Sequence, residues 1–167
     1  MEQKVEPQAE HQWLQQLVGE WTVESDATMA PGEAPMKWRG HEKVRSLGGL
    51  WVVAEGESEM PDGGKGQMIM TLGYDPAKGQ FVGTFMASMM TMLWTYEGEL
   101  DADRRVLTLS AEGPSMTGDG KALYHDIVEI VDRNTRTFRS EMQMPDGQWH
   151  QFMRAEYKRV DVGVPSV

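Results

Sequence analysis

The sequence predicts an all-β fold, a single antiparallel up-and-down β-barrel of about ten strands with a short N-terminal helix capping one end. Three observations predict it. Apolar residues follow a helical period once, near the N-terminus, and a period of two from there on. Turn-forming clusters punctuate the chain about every 10 to 16 residues, too close together for crossover helices. A meander of that length left open would expose two strand edges, and closure into a barrel removes both, which favours a barrel over a sandwich.

Taken in order, residues 1–7 are expected to be a disordered lead, 8–160 a single domain and 161–167 a flexible tail carrying Gly163 and Pro165. Pro7 suits the first turn of a helix, where its missing N–H is not needed. Trp13, Leu14, Leu17 and Val18 share one helical face, and Gly19 is free to take positive φ and end the helix. Strand one, from Gly19 to Ala27, sends Trp21, Val23, Ser25 and Ala27 to one side. A loop with Pro31, Gly32 and Pro35 leads to strand two. There Met36, Trp38, Gly40, Glu42 and Val44 alternate with Lys37, Arg39, His41, Lys43 and Arg45, one face apolar and the other basic, as a sheet with one solvated side requires.

Gly48-Gly49 turns the chain into strand three (50–59), and Pro61-Asp62-Gly63-Gly64 into strand four (66–74). Asp75-Pro76-Ala77-Lys78-Gly79 places proline and glycine as a hairpin turn wants them before strand five (80–87). Strand six (93–100) turns at Asp101-Ala102-Asp103 into strand seven (105–112). A loop from Gly113-Pro114 through Gly118-Asp119-Gly120 precedes strand eight (122–132). Arg133-Asn134-Thr135 and Pro145-Asp146-Gly147 then bound strand nine (136–144) and open strand ten (148–159).

Composition excludes several functions. Lys and Arg number 16 against 26 Asp and Glu, a net charge of −10, which argues against nucleic acid or an anionic membrane as partner. The absence of cysteine excludes disulfides, thiolate metal sites and cysteine nucleophiles. Residues 1–10 hold no apolar stretch of the kind a secretory signal has, and no apolar run approaches the roughly 18 residues of a membrane span, so a soluble cytoplasmic protein is expected. The histidines His11, His41, His125 and His150 show no zinc-type spacing. In His41-Glu42 and His125-Asp126 the partners point to opposite faces of a strand. No nucleophile elbow or dinucleotide fingerprint occurs, and Gly63-Gly64-Lys65-Gly66 lacks the following helix a phosphate loop needs.

Several segments resemble a known family. His11-Gln12-Trp13-Leu14 running into Leu17-Val18-Gly19-Glu20-Trp21, then Gly48-Gly49-Leu50-Trp51, Gly73-Tyr74-Asp75, Gly98-Glu99-Leu100-Asp101 and Ala155-Glu156-Tyr157-Lys158-Arg159, resemble the bacterial family called domain of unknown function 1579. Gly19-Glu20-Trp21 also resembles the opening motif of the lipocalin-like (calycin) barrels. The resemblance implies a lipocalin-like barrel over residues 10–159 and no activity. A more distant similarity is to nitrobindin, a haem-binding barrel that also opens with Gly-x-Trp; it implies a haem ligand in the last strand, nearest to His150. The chain departs from that pattern, since Thr22-Val23-Glu24-Ser25 lacks the glycines expected after Trp21.

Alternation supplies the candidate interior: Trp21, Val23, Met36, Trp38, Met68, Met70, Leu72, Phe81, Phe85, Trp94, Tyr96, Leu107, Leu109, Phe138 and Met142. A barrel of this size either packs these side chains as a core or encloses a small ligand. In the second case Trp38, Glu42, Met70, Tyr74, Phe85, Trp94, Tyr96 and Met142 are the expected ligand-binding residues, with Ser25, Ser140 and Tyr157 as further polar candidates in the lumen. Glu42 is the sharpest oddity. Facing inward it needs an Arg, His or Tyr partner, or becomes an acid or base for a small apolar substrate; at the rim it simply touches water. Met86, Met89, Met90 and Met92 form an apolar window that is a portal lid, a homodimer contact or a packed corner. The function expected is therefore binding of a small hydrophobic ligand without catalysis and with no cofactor. Catalysis by Glu42 and haem binding are the alternatives.

Overall fold

The structure, a computed structural model, describes residues 5–28, 34–60, 63–118 and 120–160. The expected tail, most of the expected lead, and the turn residues Pro31, Gly32, Pro61, Asp62 and Asp119 lie outside the described residues. One helix, α1 (Ala9–Gln15), precedes ten strands: β1 (Gly19–Ala27), β2 (Met36–Leu47), β3 (Trp51–Glu59), β4 (Lys65–Asp75), β5 (Gln80–Ala87), β6 (Trp94–Leu100), β7 (Val106–Pro114), β8 (Lys121–Asp132), β9 (Thr135–Gln143) and β10 (Trp149–Arg159). Each strand pairs antiparallel with its sequence neighbours, and β1 pairs with β10 to close the ring. Among the described residues no helix is long and apolar enough to cross a membrane.

Two local expectations are corrected. Pro7 does not sit in the first turn of α1; Gln8 is the cap, and its backbone N–H donates to His11 Nδ1 at 2.9 Å. The other ring nitrogen of His11 lies 3.0 Å from the Tyr74 carbonyl, so the neutral Nε2–H tautomer satisfies both bonds and ties the helix to the end of β4. Nor does Gly19 end the helix, which stops at Gln15. Leu17 and Val18 are carried by single turns onto the carbonyls of Leu14 and Gln15. Gly19 takes the expected positive φ, at 139°, and opens β1 as read from the sequence, where a Cβ would run into the Arg159 guanidinium. Strand ends otherwise fall within two residues of the sequence reading, with β2 extended to Leu47. β7 continues to Pro114 at a level where β6 no longer pairs with it, so proline's missing donor costs the ladder little.

The burial pattern of β1 alternates strictly, with Trp21, Val23, Ser25 and Ala27 buried and their neighbours exposed. The up-and-down topology puts the turns after β2, β4, β6 and β8 at the end carrying α1, and the connections after β1, β3, β5, β7 and β9 at the other end, which forms the mouth. Trp13 seals the helix end: its indole N–H donates to the Arg104 carbonyl at 2.7 Å and its ring meets Phe81 edge-on at 6.0 Å. The largest fully buried side chains, Trp21, Phe81, Leu14, Leu107, Leu109, Val52 and Val128, fill this end and the middle. The mouth half is different. Trp38, Met68, Met70, Phe85, Trp94 and Met153 share the inward face by register, yet each is only half-buried.

Candidate functional site

The inward face carries two polar groupings. The first crosses four consecutive strands of the ring: Arg136 on β9, Tyr157 on β10, Trp21 on β1 and Glu42 on β2. Arg136 Nη2 donates to Glu42 Oε1, and both side chains are buried, at 6% and 11% exposure. Glu42 is therefore inward and paired, not at a wet rim. Between the partners the guanidinium carbon lies 3.9 Å from the Tyr157 ring centroid and 4.7 Å from that of Trp21, close enough for cation–π attraction. The buried Nε of Arg136 has no hydrogen-bond partner among the described residues. Burial pushes the Tyr157 hydroxyl pKa up, and the Glu42 charge adds to the shift.

The second grouping centres on Asp126 of β8. Its Oδ2 accepts from the Tyr96 hydroxyl on β6 and its Oδ1 from Ser140 Oγ on β9 at 2.5 Å. Burial raises the Asp126 pKa, against the opposing pull of the Ser140 and Tyr96 hydrogen bonds. The Tyr96 hydroxyl is pushed far up, first by burial and then by the neighbouring Asp126 charge. Asp126 as a residue keeps part of its surface accessible although its carboxylate is deep among protein atoms. The side chain faces the lumen, in register with the buried Ser140 of β9.

Towards the mouth the lumen becomes aromatic and methionine-rich. Trp94 meets Tyr124 edge-on at 5.0 Å, and Tyr124 meets Phe152 at 6.1 Å, a chain of rings from β6 through β8 to β10. The methyl of Met89 and the sulfur of Met60 both lie against Gly66, and the methyl of Met92 against Gly113, where a larger residue would displace them. Met86, Met89 and Met90 are exposed on the rim and Met92 is half-buried. The wall also has a slit. Pairing between β6 and β7 stops at Glu97 and Ser110, while each strand stays paired on its other side; a depression of about 540 Å³ lined by Thr95, Tyr96, Ala111 and Glu112 lies over it.

The structure places the eight expected binding residues on the inward face but not in one site. Trp38, Met70, Phe85, Trp94, Tyr96 and Met142 belong to the middle and mouth half. Glu42 and Tyr74 belong to the helix end, where Tyr74 packs edge-on against His11 and Phe81. Ser25, Ser140 and Tyr157 are inward and buried as expected. Two residues were missed, Arg136 and Asp126. The alternation that turns Phe138, Ser140 and Met142 inward also turns Arg136 inward, and the same holds for Asp126 beside Tyr124 and Val128. His150 pairs in register with Met142 but stands exposed at the rim. No group of three or more His, Cys, Asp or Glu residues able to hold a metal ion occurs among the described residues.

A sequence profile described as a protein of unknown function (DUF1579) matches residues 6–159. The chain belongs to the DUF1579 family. No curated protein matches this DUF1579 member in sequence. Among solved structures it is similar to Rv2717c from M. tuberculosis, with TM-score 0.61 and 14% identity over 93% of this chain and 99% of that one. It is also similar to the EF1p2_mFAP2b protein bound to DFHBI, with TM-score 0.50 and 9% identity over 91% of this chain and 100% of that one. At these identities the likeness is one of fold, a closed barrel.

Proposed function

We propose that this DUF1579 barrel binds a small, largely apolar molecule in the mouth half of its lumen. The observation that carries the reading is the gradient of filling along the barrel axis. At the helix end Trp21, Val52, Leu72, Phe81 and Leu107 are almost fully buried, whereas Trp38, Met70, Phe85 and Trp94 towards the other end are inward and still partly accessible. A half-lined apolar concavity with a few fixed polar groups is the usual form of a small-molecule site. The exposed methionines of the rim suit a portal that adapts to what passes it. That a barrel of similar fold was obtained with DFHBI bound is consistent with the reading.

Binding is favoured over turnover because the carboxylate expected to act as acid or base, Glu42, is engaged by Arg136. The ligand we infer is not haem, so adding hemin to the purified protein should produce no Soret shift. Native mass spectrometry of freshly purified protein should show a co-purified small molecule. Substituting Met70→Trp, which fills the lumen, should abolish its retention. Retention unchanged in that variant would place the ligand elsewhere and overturn the reading.

A further inference from the structure

Resting on the reading that the mouth half of the lumen holds an apolar ligand, we infer that this ligand carries a positive charge, an ammonium group that pairs with the Asp126 carboxylate. The charges near Asp126 do not balance otherwise, since Arg159, the other cation in register with the inward face, is held at the helix end by the Val18 and Gln16 carbonyls. Glu42 and Arg136 neutralise each other. Asp126 meets only neutral donors: both of its oxygens are engaged, by the hydroxyls of Tyr96 and Ser140. No ion pair to Asp126 forms among the described residues.

The groups around it, element by element, bring no cation into the lumen. β6 contributes Tyr96, β7 Leu109, β9 Ser140 and β10 the Tyr157 phenol. His125, the neighbour along β8, points to the outside. Its Nδ1 is 3.0 Å from Glu141 Oε1 and its ring stacks on Trp149 at 3.8 Å. A buried carboxylate without a cation is costly and finds relief by taking a proton or a positive ligand. Two hydroxyls aimed at its two oxygens support the ionised form.

The surroundings suit an ammonium in a second way. Ring faces attract cations, and this lumen already holds one cation by that means, Arg136 over Tyr157 and Trp21. Trp94 and Tyr124 offer further rings on the mouth side of Asp126. The net charge of −10 raises the local concentration of cations around the whole molecule.

The test titrates the full chain with n-octylamine, 1-octanol and octanoate at neutral pH and moderate salt, followed by the fluorescence of Trp38 and Trp94. The amine should bind at least about tenfold more tightly than the alcohol, the lower end of what a hydrogen bond to a charged group contributes. Octanoate should bind weakest. In Asp126→Asn the amine should fall to the affinity of the alcohol. In the unmodified chain the amine's advantage should fade as pH is lowered, because a proton on Asp126 takes the ligand's place, and this readout does not depend on the variant folding. Equal binding of amine and alcohol, or an advantage that survives Asp126→Asn, overturns the inference while leaving the pocket standing. Failure of all three compounds to bind overturns the pocket itself.

Discussion

Arg136 lies against the face of Tyr157, 3.9 Å from the ring centroid, while its Nη2 donates to Glu42 two strands further round the ring. The pair crosses the seam where β1 meets β10, so the ion pair and the closure of the barrel are one structural unit. Taking two charges out of water is offset here by mutual attraction and by two ring faces, not by a network of hydrogen bonds. Removing only the cation leaves Glu42 buried and alone. Arg136→Ala is therefore expected to cost about 3–5 kcal/mol in chemical denaturation. Replacing both partners by methionine should restore most of that loss, since a buried ion pair is often no more stabilising than apolar residues of similar volume.

Trp21 anchors the same seam. It is 2% exposed, its indole N–H donates to the Leu17 carbonyl at 2.9 Å, and it takes Arg136 on one ring contact and Arg159 on another at 4.2 Å. Trp21→Ala should cost about 3–5 kcal/mol, as for large aromatic truncations in cores. A loss below about 1 kcal/mol by denaturant titration would contradict its placement.

Asp126 gives a pH dependence whose sign is fixed. Its pKa in the folded chain is raised above the ordinary value, chiefly by burial. Between the two values the folded state holds a proton that the unfolded state has lost, so stability falls as pH rises through the folded pKa. The wild-type melting temperature should therefore drop from mildly acid to neutral pH by more than that of Asp126→Asn, in which this group no longer titrates. Parallel curves for the two proteins would contradict the burial of the carboxylate.

Asp101 has the opposite sign. It is fully exposed, and its Oδ1 accepts from the backbone N–H groups of Val106 at 2.9 Å and Arg105 at 2.8 Å, which hold its pKa below the usual carboxylate range. Its contribution is present above the unfolded pKa and disappears as pH falls through the folded one. Asp101→Ala should lower the melting temperature at pH 7 and leave it unchanged once the wild-type carboxyl is protonated in strong acid.

Gly83 faces the lumen opposite Leu72 of β4, and a Cβ there would run into the Thr71 carbonyl and the Leu72 side chain. Backbone cannot give way as a flexible side chain can. Gly83→Ala should destabilise by about 1–3 kcal/mol, measured by denaturant titration.

Much of the fold was legible because a half-buried strand writes its environment into every second residue. Met36, Trp38 and Val44 against Lys37, Arg39 and Lys43 left no doubt about which face of β2 turned inward. Helix boundaries were less legible. Pro7 and Gly19 are residues that start and end helices in general, but here the cap is Gln8, working through His11, and Gly19 yields its space to a guanidinium from the far end of the chain. The site was legible only by halves. Glu42 was visible as an anomaly on an apolar face, but its partner lies 94 positions away and nothing local names it. Arg136 and Asp126 obey the same alternation as their neighbours. They were passed over because a charged residue within an otherwise apolar stripe is more commonly at a solvated end than in the middle.

The clasp made by Arg159 has a consequence for how the molecule comes into being. Its guanidinium donates to the Val18 carbonyl at 2.7 Å and the Gln16 carbonyl at 2.8 Å, and the next backbone N–H, of Val160, donates to Glu20 at 2.8 Å. The first strand thus receives its second neighbour from the last of the ring's ten strands to be synthesised. Until residue 160 has left the ribosome, β1 keeps one bare edge, and the ring can be assembled as a growing curved sheet but not shut. Contacts so distant along the chain are slow to form. The final step of folding should be the docking of β10 onto β1, the interval in which the nascent barrel is open to edge-to-edge association with another copy.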